Sequence, residues 1–141
     1  MKNTSIRPEF VDIIPNHLEE GVLYICERYK TAIHKCCCGC GEEAVTPLSP
    51  ADWSIRIEGN GVSLSPSIGN WNFACKSHYF IHSNKVIWAA RFSQWQIDQV
   101  RARDKADKKA YIETVNQQKS LKVRLIALIS NIWRTIISLF K

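Results

Sequence analysis

Apolar and polar positions alternate along most of the first ninety residues. Val22-Leu23-Tyr24-Ile25-Cys26 is a continuous β-branched and aromatic run and predicts a strand. Thr31-Ala32-Ile33-His34 predicts a second, and Glu43 to Leu48 a weaker third. Trp53 to Glu58 alternates strictly, which is the period of a half-buried strand. Gly59-Asn60-Gly61 follows with the residues of a tight turn, and Val62-Ser63-Leu64-Ser65 alternates again, so this stretch predicts a hairpin. Tyr79-Phe80-Ile81, the turn-like His82 to Lys85, and Val86-Ile87-Trp88 predict another. The stretch before residue 20, punctuated by Pro8 and Pro15, reads as loop and turn.

The period changes near Ser93. From Gln94 to Gln118 there is no Gly or Pro, and only a thin stripe of Ile97, Val100, Ala110 and Val115 breaks the charged and Ala-rich run, which predicts a solvated helix. From Leu121 to Lys141 apolar residues return at helical spacing: Leu125, Leu128, Ile129, Ile132, Trp133, Ile136, Leu139 and Phe140. Three segments are therefore expected: a β-rich domain over 1–93, a charged helix over 94–119 and an amphipathic helix over 120–141.

With 141 residues, 45% hydrophobic and 23% charged, the composition is that of an ordinary folded domain. The net charge of +6 is unevenly placed. Residues 1–100 hold 9 basic and 10 acidic side chains, a balance of −1, and residues 101–141 hold 10 and 3, a balance of +7. The β-rich part has no basic patch of the kind a nucleic-acid groove needs, so no nucleic-acid partner is expected. No apolar run reaches the roughly 18–20 uncharged residues of a spanning helix. The first residues lack the apolar stretch of a signal peptide, so a cytoplasmic location is expected.

In that compartment six cysteines point to metal or thiol chemistry rather than disulfides. Cys36, Cys37, Cys38 and Cys40 crowd into five residues, where Gly39 and Gly41 permit the turns of a tight loop, and Cys75-Lys76-Ser77-His78 offers a remote partner. A tetrahedral Zn²⁺ site fits this, as in treble-clef-like or zinc-ribbon-like folds. Two ligand sets are compatible with the spacing: Cys36, Cys38, Cys40 and Cys75, or Cys37, Cys40, Cys75 and His78. Cys26, inside an apolar strand, reads as core. The fold class expected is α+β: a small, mostly antiparallel β domain built around zinc, followed by C-terminal helices.

A longer pattern carries a resemblance. It comprises Gly21 to Tyr24, His34 to Gly41, Thr46 to Pro50, Asp52-Trp53, Leu64 to Trp71 and Cys75 to Tyr79. Residues 8–104 resemble a bacterial family of small cysteine-rich proteins classed as a domain of unknown function. Its members are encoded beside ubiquitin-activating-enzyme-like and ubiquitin-like, often tandem-ubiquitin, proteins. The resemblance implies a part in a ubiquitin-like conjugation system, with the modifier and its activating and conjugating enzymes as partners. In that family the position of Cys37 is often not cysteine, which favours Cys36, Cys38, Cys40 and Cys75 as the ligands.

If the four thiolates satisfy the metal, His78 is left as a general base. Ser65-Pro66-Ser67-Ile68-Gly69 leaves a strand and is expected to turn at Gly69, which would present Ser67 as a nucleophile. Asp52 or Glu42 could orient the histidine. Serines flanking a proline are also ordinary turn residues, and Trp53, Trp71 and Trp88 read as packing. The resulting expectation is a hydrolase that processes or removes the modifier, with catalytic residues Ser67 and His78. The alternative is a non-catalytic zinc adaptor or ligase-like factor. The basic 120–141 segment is expected to lie at the inner membrane face or to pair with its copy in a homodimer.

Overall fold

The computed structural model describes residues 1–139, without the side chains of 131 and 135–139; of the expected tail face, Phe140, Lys141 and the side chains of Ile136 and Leu139 lie outside the described residues. Eight strands form two four-stranded sheets. The first has the order β1 (Arg7–Phe10), β2 (Val22–Cys26), β3 (Thr31–Lys35), β4 (Glu43–Pro47). The second has the order β5 (Ser54–Glu58), β6 (Gly61–Gly69), β7 (His78–His82), β8 (Lys85–Trp88). Every pair is antiparallel except β1–β2, which is parallel with Arg7 opposite Val22. One helix, α1, covers Gln94–Leu139. The α+β class with a mostly antiparallel β body is what the alternation predicted. The two helices expected at the C-terminus are one, because neither Lys119 nor Ser120 interrupts the backbone ladder.

The chain divides into two compact units, Met1–Val100 and Arg101–Lys141. In the first, Leu23, Ile25, Ala32 and Ala44 of one sheet and Val62, Leu64, Ile68, Tyr79, Ile81 and Val86 of the other belong to one buried cluster. The opposite face of the first sheet is covered as well: Val22, Tyr24 and Ile33 pack with Leu18, Val11 and Ile14 from the β1–β2 connection. Strand β2 is thus buried on both faces, which explains its unbroken apolar run. Strand β1 was read as a loop because it is an edge with no alternating pattern. Pro8 is tolerated there, where a missing N–H costs little.

Both predicted hairpins are present with two-residue turns, Glu58 facing Gly61 and His82 facing Lys85. Ser83 and Asn84 both take positive φ, as a type I′ turn requires. Asn84 also ties the ends of the unit together. Its Oδ1 accepts from Val62 N–H and its carbonyl accepts from Ile6 N–H, while Val86 N–H donates to Thr4. In the second unit the helix carries mostly exposed side chains, among them Leu121, Leu125, Leu128, Ile132 and Trp133. No helix among the described residues is long and apolar enough to cross a membrane.

Candidate active site and metal centre

Cys36 follows directly after β3, and the chain then folds back on itself. Gly39 N–H donates to the Cys36 carbonyl at 3.0 Å and Cys36 N–H to the Glu42 carbonyl at 2.7 Å. Gly39 and Gly41 have φ of 79° and 83°, the left-handed region where a side chain would be strained. This tight loop carries Cys36, Cys38 and Cys40 to one point. Cys75 arrives from the β6–β7 connection through a second turn, in which Lys76 N–H donates to Phe73 at 3.0 Å and Lys76 itself has φ of 43°.

The four sulfurs lie within 4.8 Å of one another. Individual separations are 3.4 Å for Cys36–Cys38, 3.9 Å for Cys36–Cys75 and 3.8 Å for Cys40–Cys75. A tetrahedral zinc with bonds of about 2.3 Å places its sulfurs about 3.8 Å apart, so the cluster fits a tetrahedral metal ion. Burial pushes the Cys38 and Cys40 thiols up. It pushes Cys75 up too, but hydrogen bonds from Ser77, aided by Cys38 and Cys40, outweigh it and bring that thiol down to about 7. Cys37 points elsewhere. It is fully buried in the apolar core, its thiol is pushed up to about 12 by that burial, and it is outside the sulfur group.

Polar groups unmarked in the sequence support this cluster from inside. Asn70 Nδ2 lies 3.4 Å from Cys36 Sγ, 2.9 Å from Ser77 Oγ and 3.3 Å from the Tyr79 hydroxyl. Ser77 Oγ is 3.1 Å from Cys36 Sγ. The Tyr79 hydroxyl in turn meets His34 Nε2 at 2.8 Å. His34 is fully buried, and burial lowers it to about 4, so it is neutral near pH 7. Asn70, Ser77 and Tyr79 were invisible as a group in the sequence, because only the β6–β7 pairing brings them to Cys36.

Three residues after Cys75, His78 opens β7. Its Nε2 lies 2.9 Å from Ser67 Oγ, and its Nδ1 lies 3.3 Å from the carbonyl oxygen of Ala90. A carbonyl can only accept, so Nδ1 carries the proton in that contact and Nε2 is left to accept from the serine hydroxyl. Register explains how the pair meets. Gly69 of β6 faces His78 of β7, and Ser67 shares the face of Gly69 because side chains alternate along a strand. Ile68 and Tyr79 point to the core instead. Ser67 was expected on a turn outside the strand, but β6 runs on to Gly69, and its irregular register between Leu64 and Ile68 carries Ser67.

Aromatic rings enclose the histidine. Phe92 is 4.5 Å from it, Trp71 5.1 Å and Phe80 5.9 Å between centroids, and Trp71 stacks on Phe92 at 5.3 Å. His78 is consequently 7% exposed, while Ser67 is half-buried and reachable. A cavity of about 360 Å³ is lined by His78, Ser77, Cys38, Cys40 and Cys75, with Lys2 and Arg91 also on its wall. The remaining expected residues have other partners. Asp52 accepts from the Ser49 hydroxyl at 2.7 Å, and Glu42 contributes its carbonyl to the cysteine loop. Trp53 packs at the edge of the core, Trp88 sits against Tyr79, and Cys26 is core with its thiol on the Asp12 carbonyl.

Residues 10–89 match the model of a family described as "Bacterial ubiquitination-like system serine protease (BubE)". That span takes in Ser67, His78 and all four clustered cysteines. No curated protein and no solved structure matches the chain.

Proposed function

Since the chain belongs to the bacterial ubiquitination-like system serine protease family, we propose that it cuts acyl bonds made by the C-terminus of a ubiquitin-like modifier, with Ser67 as nucleophile and His78 as general base. The observation that carries this reading is the 2.9 Å contact between His78 Nε2 and Ser67 Oγ inside the matched span. Ser67 Oγ attacks the scissile carbonyl as its proton passes to His78 Nε2. His78 returns that proton to the leaving amine or hydroxyl, which departs and leaves an acyl-serine. A water then gives its proton to the same nitrogen and attacks the acyl carbon, and the serine regains its hydrogen. The Ala90 carbonyl, rather than a carboxylate, holds the imidazole in the tautomer that this requires.

Cys36, Cys38, Cys40 and Cys75 would hold a zinc ion whose contribution is structural, since four thiolates leave no open position. Its role is to fix the β6–β7 connection that leads into His78. Phe80 and Ile87, cross-strand neighbours exposed on the outer face beside the dyad, offer apolar surface for the chain that enters. The modifier's fusion to a reporter is the test substrate. Ser67→Ala and His78→Ala should each lower its cleavage by roughly 10³-fold or more, with metal content and melting close to the parent. Ser67→Ala should also lose labelling by a serine-reactive fluorophosphonate. Unchanged cleavage by Ser67→Ala would remove the serine from the chemistry and favour the adaptor reading. Loss of metal in His78→Ala would make that residue a ligand instead.

A further inference from the structure

The helical unit beyond residue 100 takes no part in that chemistry, and the family match ends before it. Its described C-terminal part carries large apolar side chains that lie in solvent: Leu121 is 64% exposed, Leu125 58%, Leu128 60%, Ile132 58% and Trp133 62%. At 100° per residue these five and Ile129 fall within an arc of roughly 140°. Ser130 lies opposite, its hydroxyl donating back to the Ala127 carbonyl at 2.8 Å. Lys119, Arg124 and Arg134 also lie off the arc, while Lys122 falls within it near its start. There is no acidic residue after Glu113 in the sequence.

We propose that this face docks on an anionic lipid surface, lying in the plane of the membrane interface. Two features select that occupant over a second copy of the chain. Residues 101–141 hold 10 basic and 3 acidic side chains, so pairing two copies would bring like charges together, whereas anionic headgroups neutralise them. The apolar arc is also broader than the narrow seam of a two-stranded coil, and a tryptophan sits on it, as in helices that bury one face at the headgroup boundary. Arg124, Asn131 and Arg134 within the segment make a spanning course costly.

The full-length protein should co-sediment with phosphatidylglycerol vesicles and scarcely with phosphatidylcholine vesicles, and binding should fall as salt is raised. Leu125→Glu/Ile129→Glu should weaken the apparent affinity by roughly tenfold or more, and Lys122→Glu/Arg124→Glu, which leaves most of the apolar face intact, by a similar factor. Cleavage of a soluble reporter should be unchanged in both variants, so this outcome is separable from that of the Ser67 test. Three results would overturn the proposal. One is equal binding to both lipids. Another is full binding by Leu125→Glu/Ile129→Glu, which would mean mere charge adsorption. The third is a concentration-dependent dimer without vesicle binding, dissolved by that same variant, which would assign the face to a second copy.

Discussion

Cys36 and Cys37 are both withdrawn from solvent, yet the sulfur of one joins three other sulfurs while the other residue belongs to the apolar core cluster, with Tyr79 beside its thiol. The two substitutions should therefore separate cleanly. Cys37→Ser should keep a full complement of metal and lose about 1–3 kcal/mol of stability, because it buries a hydroxyl in an apolar site. Cys36→Ser should lose the metal. Elemental analysis beside thermal melting reads both, and a Cys37→Ser protein without metal would assign the ligands to the other set. Asn70 tests the shell behind the sulfurs. With its amide shared among Cys36, Ser77 and Tyr79, Asn70→Ala strands buried polar groups and should cost about 2 kcal/mol. It should also lower metal affinity by about tenfold or more, measured by chelator competition. At this scale the sequence was readable where chemistry clusters locally. The cysteine loop announced itself by spacing, whereas Asn70, Tyr79 and Ala90 act through contacts that only strand pairing creates.

Strand β6 shows how an element places a site, and why this one was half legible. Val62 to Ser65 alternate and were read as strand; Pro66 to Gly69 carry a proline, a serine and a glycine, and were expected to leave the strand and turn at Gly69. Pairing to β7 overrides that local preference, because Ile68 opposite Tyr79 buries both against the first sheet. The hairpins were legible throughout because turn chemistry and alternation agree there, while β1 has neither signal. Gly69 is the position where the strand meets the site. A Cβ at Gly69 would overlap the Trp71 indole at Cε2 and Cζ2. Gly69→Ala should therefore push Trp71 off Phe92 and His78, costing about 1–3 kcal/mol in melting. It should lower kcat by roughly tenfold through loss of the histidine's packing, with metal content unchanged. A variant of full activity and full stability would show that the indole has room to move without consequence.

Across the whole β unit, the cysteine cluster and the Ser67–His78 pair share one short segment: Cys75, Ser77 and His78 lie within four residues where the chain enters β7. Cys36 and Cys75 are 39 residues apart in the chain, so a metal held by both closes a loop that contains β4, β5 and β6 and links the two sheets. Chelation should thus remove activity and cooperative melting together, because the binding energy of such a site is part of the folding energy. That outcome alone does not say whether the ion is structural or reacts with substrate. Exchange of the metal does. Cd²⁺ prefers thiolates as zinc does but differs greatly in its power to acidify bound water, so a reaction run on metal-bound water should change by orders of magnitude on exchange. In the proposed mechanism the proton of Ser67 passes to His78 Nε2, 2.9 Å away, and no step touches the sulfurs. The cadmium-loaded protein should therefore melt cooperatively and cleave the reporter within about twofold of the zinc form. Ser67→Ala should be inactive with either metal. A cadmium form that is folded and fluorophosphonate-reactive but devoid of cleavage would move the ion from the scaffold into the chemistry.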